Sequence, residues 1–569
     1  MSNRSSVLEQ LREGEFDLVV FGGGIFGAVT AWAAAVRGLR PVLLEAEDFA
    51  GGSSANSYKV IHGGIRYVQH FDFARVLASC RERSAFLRIA PHLCEPLPIV
   101  IPTYGWGKLG IPFLGAGCYL YDLVTLFRNR GIADPARRIP FTRIIGRRAV
   151  MEEFPGVDSN GLTGACVIND GRFYNPTRLV WAFCDDLRSR GGTVLNYARV
   201  TGVEREGERV SAVRVEDGIG GETFSVRAKA VVNAAGPWAE RWLADAGLAR
   251  ERKAGTYSRD ACFVVRNTLG LSRTLAVQSS TGDPDALLAR EKRHLFVSPW
   301  RQDYLLIGVW HKVTDEVPER LSIEPSELSS WIDELRAAYP GLELHERDVI
   351  AWNCGLVPFG DEQKSETDLS YGKRTDIVDH RDSDGIDNLV TLIGLRYTMA
   401  RAEGEKALEI LRRRLGWADR RQPSDRTRLR TADFESFDSL CRELEEAGRE
   451  LLEPKVLVAL AHNHGSDARR LLERMREDPP SAAVFDNTTV TAAEVRWVCE
   501  HEAVETLADV VLRRTDIGTG EYPGAETIAA VADIVGAYKG WNGARREREI
   551  VALERRFTGT ASPRSVDAA

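Results

Sequence analysis

The stretch Phe16-Asp17-Leu18-Val19-Val20-Phe21-Gly22-Gly23-Gly24-Ile25-Phe26-Gly27 decides the fold of this 569-residue chain. Residues 17–21 form a short, mostly apolar run, which is typical of a strand buried in a parallel sheet. Gly22, Gly24 and Gly27 follow with G-x-G-x-x-G spacing. The first glycine permits a tight turn, the second lets the backbone approach a pyrophosphate, and the third lets a helix pack on the strand. The pattern predicts a strand, a glycine turn and a helix.

The residues after the turn complete a strand–helix–strand unit. Residues 25–37 are alanine-rich and predict a helix whose first N–H groups can face phosphate. Gly38 ends this helix, residues 41–44 predict a second strand, and Glu45 follows where an acid accepts hydrogen bonds from a ribose. A lone glycine motif is a weak signal, but here every part stands in order. The unit predicts an adenine-dinucleotide site formed by Gly22, Gly24, Gly27 and Glu45.

Composition excludes several classes of protein. A hydrophobic content of 44% and a charged content of 28% are ordinary for a globular protein, and the length predicts more than one domain. A net charge of −7 argues against nucleic-acid binding. Nine dispersed cysteines without CxxC spacing fit reduced cytosolic thiols, and we expect no metal site. The first residues lack the apolar core of a secretory leader, so a cytoplasmic protein is expected.

One apolar stretch, residues 111–127, raises the question of membrane contact. Pro112 and Asp122 interrupt it, and it is too short for a clean transmembrane helix. The favoured interpretation is a buried helix of a substrate domain. The alternative is a surface helix that dips into a bilayer, with the flanking basic residues near lipid headgroups, so peripheral membrane contact stays open. These flanking residues are Lys108, Arg128 and Arg130.

Strand-like and helical segments alternate as far as about residue 412. Residues 194–200, 210–215 and 224–226 predict an inserted meander, and further strands are predicted at 261–266, 294–298 and 304–310. The polar stretch 419–425 predicts a linker. Beyond it, the pattern predicts only helices, at 436–452, 454–462, 466–477 and 492–514.

Two distant segments favour FAD over NAD. Residues 230–238 predict a buried strand that ends in a Gly-Pro turn about two hundred residues after the glycine motif, and residues 392–394 return later still. NAD-dependent dehydrogenases build their nucleotide site from contiguous units. FAD is long and is usually bound extended, so its adenine and flavin ends need separate loops. The recruitment of distant segments therefore predicts FAD.

Further blocks give a specific resemblance. They are Ser53-Ser54-Ala55-Asn56-Ser57-Tyr58-Lys59-Val60-Ile61-His62-Gly63-Gly64-Ile65-Arg66-Tyr67, Val232-Asn233-Ala234-Ala235-Gly236-Pro237-Trp238, Ala90-Pro91-His92-Leu93, Ala493-Glu494-Val495-Arg496-Trp497, His501-Glu502 and the segment 507–515. With them the chain resembles the FAD-dependent glycerol-3-phosphate dehydrogenases over nearly its whole length. The Ser53 to Tyr67 block is far more selective than the dinucleotide motif.

The resemblance implies a reaction and a set of site residues. A secondary alcohol would lose a hydride to the flavin N5 and a proton to a base, and the reduced flavin would pass electrons to a quinone or to oxygen. The best single interpretation is oxidation of sn-glycerol 3-phosphate to dihydroxyacetone phosphate. The FAD is expected to be non-covalent. The expected cofactor-binding residues beyond the motif are Ser53, Ser54, His62, Val200, Ala235, Gly236, Gly394 and Thr398.

Arg66 and Tyr67 are expected to face the substrate. Arg66 offers a forked cation for an oxyanion, and His62 or Tyr67 would move a proton. The plainer interpretations are a capped loop for His62 and a core aromatic for Tyr67. Inside this block the functional interpretation is favoured. With the phosphate clamped by Arg66 and Arg396, the expected catalytic set is His62, Arg66, Tyr67, Arg396 and His311.

Five positions depart from the family pattern, all where the family faces substrate. Val357 replaces the arginine of the family pattern S-G-x-R-P, and Tyr371 replaces the arginine of T-R-D-Y. Arg396 replaces the lysine of G-G-K-L-T-T, and Cys262 replaces the histidine of G-S-H. His311 stands at the aspartate of G-T-T-D. Drift with compensation by Lys373, Arg374 or His311 is one explanation. The other is a changed substrate, because a phosphate loses partners while Val357, Tyr371 and Trp310 would add apolar surface.

The predicted fold class is α/β. It combines a Rossmann-like FAD-binding domain of the glucose/amino-acid oxidase type, an inserted α+β substrate domain with an antiparallel sheet, and an all-α C-terminal domain. The FAD segments are placed at about 14–75, 165–245 and 350–415 within 1–418, the cap at 76–164 and 246–349, the helical domain at 426–557, and a disordered tail at 558–569. A different alcohol or amine as substrate, a catalytically silent flavoprotein and a homodimer stay open as alternatives.

Overall fold

The computed structural model describes residues 4–107, 109–248, 256–279, 294–301, 303–314, 321–359, 375–418 and 424–557. Several predictions lie outside the described residues: Tyr371, Lys373 and Arg374 near the substrate, Lys108 beside the apolar stretch, residues 419–423 of the linker, and the tail 558–569.

The described residues form these β-strands: β1 (Glu15–Phe16), β2 (Leu18–Phe21), β3 (Pro41–Leu44), β4 (Val60–Ile61), β5 (Cys94–Tyr104), β6 (Arg143–Gly146), β7 (Leu162–Phe173), β8 (Thr193–Leu195), β9 (Ala198–Glu206), β10 (Arg209–Asp217), β11 (Thr223–Ala228), β12 (Val231–Asn233), β13 (Thr256–Arg266), β14 (Thr274–Gln278), β15 (His294–Trp300), β16 (Tyr304–Thr314), β17 (Ala351–Phe359), β18 (Asp376–Asp379) and β19 (Leu389–Ile393).

The α-helices are α1 (Arg4–Glu13), α2 (Ile25–Val36), α3 (Phe73–Ile89), α4 (Ile111–Val124), α5 (Arg147–Glu153), α6 (Pro176–Ser189), α7 (Ala239–Asp245), α8 (Pro325–Ala338), α9 (His380–Asp384), α10 (Ala400–Leu415), α11 (Phe437–Gly448), α12 (Pro454–His464), α13 (Ala468–Glu477), α14 (Ala492–His501), α15 (Ala525–Lys539) and α16 (Gly543–Glu554). Among these described helices, none combines the length and apolarity needed to cross a bilayer.

A six-stranded sheet carries the glycine motif. Its strand order is β18-β19-β12-β2-β3-β8, and every neighbouring pair is parallel except β18 with β19. Strand β2 is buried along its whole length, and α2, which follows it, buries Trp32 completely. Because β2, β12 and β19 are adjacent and parallel, their carboxyl ends meet at one edge. The three distant segments predicted to share one dinucleotide are therefore neighbours in space.

The predicted meander forms a second sheet in the order β1-β11-β10-β9. The single strand predicted at 194–200 is instead two strands, β8 and β9, in two different sheets. The chain turns between them because Tyr197 adopts a left-handed backbone with φ of 52°. Its N–H donates to the Glu47 carbonyl at 2.7 Å, and Ala198 N–H donates to the Glu45 carbonyl at 2.7 Å. This turn carries β9 to the end of β3.

The third sheet of the molecule is nine-stranded and mostly antiparallel. Its order is β17-β13-β16-β15-β14-β5-β7-β4, with β6 paired to β7. The long strands β5 and β7 were not predicted. Strand β5 carries Pro96, Pro98 and Pro102, which count against a central strand because proline has no N–H to donate. Strand β14 pairs with β5 only at Ile99 and Val100, outside the proline positions. The predicted boundaries near 165 and 350 fall in β7 and beside β17, and the division into segments stays a prediction.

Helices α11 to α16 share one apolar core and form the C-terminal domain. The helix predicted at 492–514 is wrong as a single element, because α14 ends at His501 and a π-helix follows at Asp509–Arg514. Two carboxylates stabilise the segment between α14 and the π-helix. Glu502 pairs with the buried Arg178, and Asp509 accepts hydrogen bonds from the backbone N–H groups of Glu505 and Thr506. The predicted fold class is confirmed.

Candidate active site

A cavity of about 1760 Å³ lies between the carboxyl edge of the six-stranded sheet and one face of the nine-stranded sheet. Its wall includes the glycine turn and Glu45 on the first side, and strands β13, β15, β16 and β17 on the second. Pockets for drug-sized ligands have volumes of roughly 300–1,000 Å³. This cavity has room for a long cofactor and a small substrate together.

The three glycines of the motif play different structural roles. Gly22 has φ of 99°, and a Cβ there would lie 2.4 Å from the Ala234 carbonyl oxygen. A Cβ at Gly27 would lie 1.9 Å from the Gly22 oxygen. At Gly24, which precedes α2, the nearest atom to a Cβ is Ser54 Oγ at 3.1 Å. Gly22 and Gly27 are therefore required by packing, while Gly24 presents bare backbone to the cavity.

Glu45 lies directly after β3 at the edge of the same cavity. Its carboxylate accepts hydrogen bonds from the backbone N–H groups of Gly23 and Glu47, the second at 2.9 Å. Burial raises the pKa of Glu45 to about 7, against the effect of these two hydrogen bonds. Val200 on β9 also lines the cavity. An acid at this place fits a ribose that donates its hydroxyl protons.

The remaining predicted cofactor residues gather around the same cavity. Ser54 Oγ accepts a hydrogen bond from Ile25 N–H at 3.0 Å, and Thr398 Oγ1 accepts one from His62 N–H at 3.1 Å. A Cβ at Gly394 would lie 2.0 Å from the Phe26 ring. All predicted cofactor residues line the cavity except Gly27, which packs beneath it; the others are Gly22, Gly24, Glu45, Ser53, Ser54, His62, Val200, Ala235, Gly236, Gly394 and Thr398. Their binding roles stay predictions.

His62 is exposed to the cavity beside a buried ion pair. Its Nδ1 lies 3.6 Å from Asp170 Oδ2, and Asp170 also accepts from Gly63 N–H and from Arg83, each at 2.6 Å. Burial would raise the pKa of Asp170, but His62 and the Arg83 cation outweigh it and lower the pKa. Asp170 and Arg83 were not among the predicted site residues. Asn169-Asp170-Gly171 is a turn-like sequence, yet it lies within β7.

Arg66 and Arg396 both line the cavity, whereas Tyr67 does not. Arg396 Nη1 donates to Tyr67 Oη at 3.3 Å and to Ser79 Oγ at 3.1 Å, and its guanidinium lies over the Tyr67 ring at 5.5 Å from the centroid. The expectation that Tyr67 faces the substrate does not match this geometry, because the ring packs behind Arg396. Its catalytic role stays a prediction.

Four of the five positions that depart from the family pattern line the cavity, and the fifth, Tyr371, lies outside the described residues. Cys262, His311 and Val357 line the cavity, and His311 Nδ1 lies 2.8 Å from Asp260 Oδ1. The expectation that Trp310 adds apolar surface to the pocket is wrong. Trp310 is 2% exposed and stacks between Phe263 and Trp331, with centroid distances of 5.3 and 4.7 Å. Residues on a strand alternate between faces, so 309 and 311 line the cavity and 310 does not.

Helix α4 separates the cavity from the surface. Its inner face buries Cys118 and Tyr121, while Tyr119 and Leu123 on its outer face are 49% and 64% exposed; Phe113 is half exposed and lines the cavity. The favoured interpretation of a buried helix is therefore wrong for one face. The expectation that Arg128 lies near headgroups is also wrong, because Arg128 is 1% exposed and pairs with Asp122 at 2.7 Å.

Comparison with known proteins agrees with this architecture. Residues 17–394 match the family described as FAD dependent oxidoreductase, and residues 430–546 match the C-terminal domain of alpha-glycerophosphate oxidase. A glycerol-3-phosphate dehydrogenase of Synechocystis sp. is 28% identical over 560 residues, which cover 95% of this chain and 96% of the relative. Glycerol-3-phosphate dehydrogenase 2 of Mycobacterium bovis is 27% identical and covers 100% of this chain and 93% of its own.

The fold has a solved counterpart in the glycerol-3-phosphate dehydrogenase from Bacillus halodurans complexed with FAD. That structure is similar with a TM-score of 0.75 and 20% identity, over 100% of this chain and 99% of the other. The chain belongs to the FAD dependent oxidoreductase family. FAD is its cofactor, and the resemblance to the glycerol-3-phosphate dehydrogenases is confirmed.

Proposed function

We propose that this protein oxidises the secondary hydroxyl of sn-glycerol 3-phosphate to the ketone of dihydroxyacetone phosphate. One observation carries the proposal: Arg66, Arg396 and His62 line the same cavity as the FAD-binding segments. The relatives named glycerol-3-phosphate dehydrogenases, which match nearly the whole chain, support the same substrate.

The cavity wall fits FAD on features of its own. Gly24 leaves backbone uncovered at the first turn of α2, where N–H groups favour a pyrophosphate. Glu45 supplies a carboxylate for the ribose, and the loops after β12 and β19 would hold the flavin end. When bound, the flavin supplies a two-electron acceptor for the hydride that leaves the substrate carbon.

The protein side chains would bind the substrate and move its proton. Arg66 lines the cavity, and Arg396, which also lines it, is held in place by Tyr67 and Ser79. Two guanidinium groups on one phosphate give charge-assisted hydrogen bonds and fix its orientation. His62 and His311 are the candidates for accepting the hydroxyl proton, since each lies beside a carboxylate.

A second substrate class is favoured by one specific observation. Val357 lines the cavity where the family carries an arginine, and Leu97, Ile99 and Phe296 add apolar wall on other strands of the same sheet. An alcohol or amine with a larger apolar part and less negative charge would be desolvated at lower cost there. A different alcohol or amine is therefore the alternative to glycerol 3-phosphate.

Anaerobic bleaching of the flavin distinguishes the two. The yellow holoprotein is mixed with glycerol 3-phosphate, with glycerol and with a panel of uncharged alcohols and amines, and the flavin absorbance is followed. Bleaching by glycerol 3-phosphate at the lowest concentration supports the proposal. Bleaching only by other donors favours the alternative, and no bleaching by any donor favours a silent flavoprotein.

Arg66→Ala tests the phosphate clamp directly. We expect this variant to keep FAD but to be reduced by glycerol 3-phosphate about 10- to 150-fold more slowly, because a charge-assisted partner of about 1.5–3 kcal/mol is removed from a binding group that positions the reacting carbon. The matched control is Arg143→Ala on the exposed strand β6. Normal turnover by Arg66→Ala would show that the substrate site is wrongly assigned.

We further propose that the electron acceptor is a quinone taken up at a membrane surface, with oxygen as the alternative acceptor. Support comes from α4, whose outer face exposes Tyr119 and Leu123 while Phe113, Leu114 and Leu120 line the cavity. Such a helix would connect a lipid surface with the site. The cytoplasmic location and a homodimer stay predictions.

A further inference from the structure

We propose that His311, oriented by Asp260, is the base that accepts the proton of the substrate alcohol. This inference rests on the proposed function, since it names the proton acceptor of that site. His311 is the catalytic residue in this assignment and Asp260 is a positioning residue.

The two side chains form a pair across neighbouring strands. Asp260 on β13 and His311 on β16 are directly opposite in the antiparallel register, and both line the cavity. His311 Nδ1 lies 2.8 Å from Asp260 Oδ1, and Ser258 Oγ donates to the same oxygen at 2.7 Å. With Nδ1–H given to the carboxylate, Nε2 is left as the acceptor nitrogen of the ring.

The pair lies where the sequence departs from the pattern of the family that it resembles. Cys262 and His311 are two of the five departing positions named above. Asp260 and Cys262 lie on the same face of β13, and His311 lies opposite Asp260 on β16. The carboxylate and the imidazole therefore line the cavity from neighbouring strands.

His62 is the weaker candidate because its carboxylate is shared. Asp170 lies 3.6 Å from His62 Nδ1 but 2.6 Å from the Arg83 guanidinium, which is fully buried. A cation at that distance offsets the negative charge that would stabilise a protonated imidazole. The backbone N–H of Gly63 takes a further lone pair of Asp170 at 2.6 Å.

The other titratable groups near His311 lie on β13, β15, β16 and α8. On the cavity side are Cys262 of β13 and His294 of β15. On the opposite face of the sheet, Arg259 and Lys312 both reach Glu327 of α8, at 2.5 and 3.0 Å. Strand β17 contributes Gly355 and Val357 to the cavity, neither of which titrates. Across the cavity, the wall includes the cations Lys59, Arg66 and Arg396.

Oxidation of the alcohol at this site would release one proton and one hydride. The substrate O–H bond would break and its proton would go to His311 Nε2. The C–H bond of the same carbon would break with both electrons leaving as a hydride, for which bound FAD would supply the two-electron acceptor, and the carbonyl double bond would form. Asp260 stabilises the imidazolium that results, which then returns its proton to solvent.

The test measures flavin reduction by anaerobic stopped flow across a pH range. We expect His311→Gln to lower the limiting reduction rate by about 10²–10⁴-fold, with the apparent dissociation constant of the donor within about threefold. Asp260→Asn should lower the rate less and shift the acid limb of the profile to lower pH, because the imidazolium loses its anion. Free imidazole should partly restore His311→Ala. His345→Gln, elsewhere in the cap, is the matched control.

A second readout does not depend on turnover. In protein labelled with ¹⁵N-histidine, the Nδ1–H shared with Asp260 should give a downfield proton signal that disappears in both His311→Gln and Asp260→Asn. Absence of that signal from the wild type overturns the pair. A loss of rate in His62→Gln with retention in His311→Gln overturns the base assignment. If glycerol 3-phosphate fails to bleach the flavin but another donor succeeds, the proposed substrate fails and the same variants are tested with that donor.

Discussion

At the residue scale, the glycines of the motif differ in what a side chain would meet. A Cβ at Gly27 would overlap the Gly22 carbonyl oxygen, whereas a Cβ at Gly24 would meet only Ser54 Oγ at 3.1 Å and otherwise enter the cavity. The spacing alone treats both glycines as parts of one motif. The structure separates a packing glycine from one whose bare backbone serves the ligand.

Substitution of Gly24 and Gly27 should therefore have different consequences. We expect Gly24→Val to fold but to purify without FAD, because its side chain occupies the pyrophosphate approach. Gly27→Val should fail to accumulate as folded protein, because the strand, turn and helix cannot close. The measurements are the flavin-to-protein absorbance ratio and the far-ultraviolet circular dichroism. Full FAD content in Gly24→Val would refute the assigned dinucleotide site.

Glu45 predicts a pH dependence of FAD binding. Burial raises its pKa to about 7, so the carboxyl is largely neutral below that pH in the protein without FAD. A ribose hydroxyl that donates to Glu45 favours the ionised form, so FAD binding should release a proton. The affinity of the apoprotein for FAD should rise as pH increases through about 7. Fluorescence titration should find this rise in the wild type and a flat profile in Glu45→Gln.

The residues that the sequence predicted share one property. Gly22, Gly24, Glu45 and the Ser53 to Tyr67 block are local signals, because each is recognised from a short continuous stretch of sequence. Asp170 and Arg83 could not be found in this way, because a strand residue and a helix residue 87 positions apart meet only in the folded chain. Tyr67 was expected to face the substrate, but in the folded chain its hydroxyl accepts from Arg396 and its ring packs behind that guanidinium.

At the element scale, α4 combines the two alternatives that its sequence left open, because one face is packed in the protein and the other is exposed. The helix is anchored on one side, since Asp122 accepts from Arg128 and from Thr142 N–H, each at 2.7 Å. Its other side exposes large apolar side chains, and Leu126 just beyond it is 62% exposed. Hydrophobic periodicity could not distinguish a buried helix from a surface helix, because both faces of α4 are apolar and only their packing differs.

Liposome flotation tests the outer face of α4. We expect the holoprotein to float with vesicles of phosphatidylethanolamine and phosphatidylglycerol. Leu123→Glu combined with Leu126→Glu should abolish flotation, because two charges would have to enter the apolar boundary. Both side chains are exposed, so FAD content and melting temperature should be unchanged. Val458→Glu on the exposed surface of α12 is the control, and flotation lost equally in that variant would argue against α4 as the contact.

At the scale of the whole molecule, the carboxylate of Asp48 is one of the contacts that join the C-terminal domain to the dinucleotide loop. Asp48 follows Glu45 by three residues and is completely buried between Arg513 and Arg514 of the π-helix. Burial would raise the pKa of Asp48, but the two guanidinium groups outweigh it and lower the pKa. The stability from this ionisation is present above the normal aspartate range and is lost as pH falls through the lowered pKa. No local pattern predicted this contact, since its partners are more than 460 residues apart.

Asp48→Asn should weaken the fold and the cofactor site together. The substitution leaves the buried Arg514 guanidinium without its salt-bridge anion and leaves Arg513 with Asp509 alone, so the free energy of unfolding should fall by about 3–5 kcal/mol. Because Asp48 belongs to the loop that carries Glu45, FAD should be released before or with the loss of helical signal on heating. The matched control is Asp382→Asn, which breaks an exposed pair with Arg414 and should cost no more than about 1 kcal/mol. If FAD release and unfolding in Asp48→Asn follow the control, the helical domain does not support the dinucleotide loop, and its contact with Asp48 is packing alone.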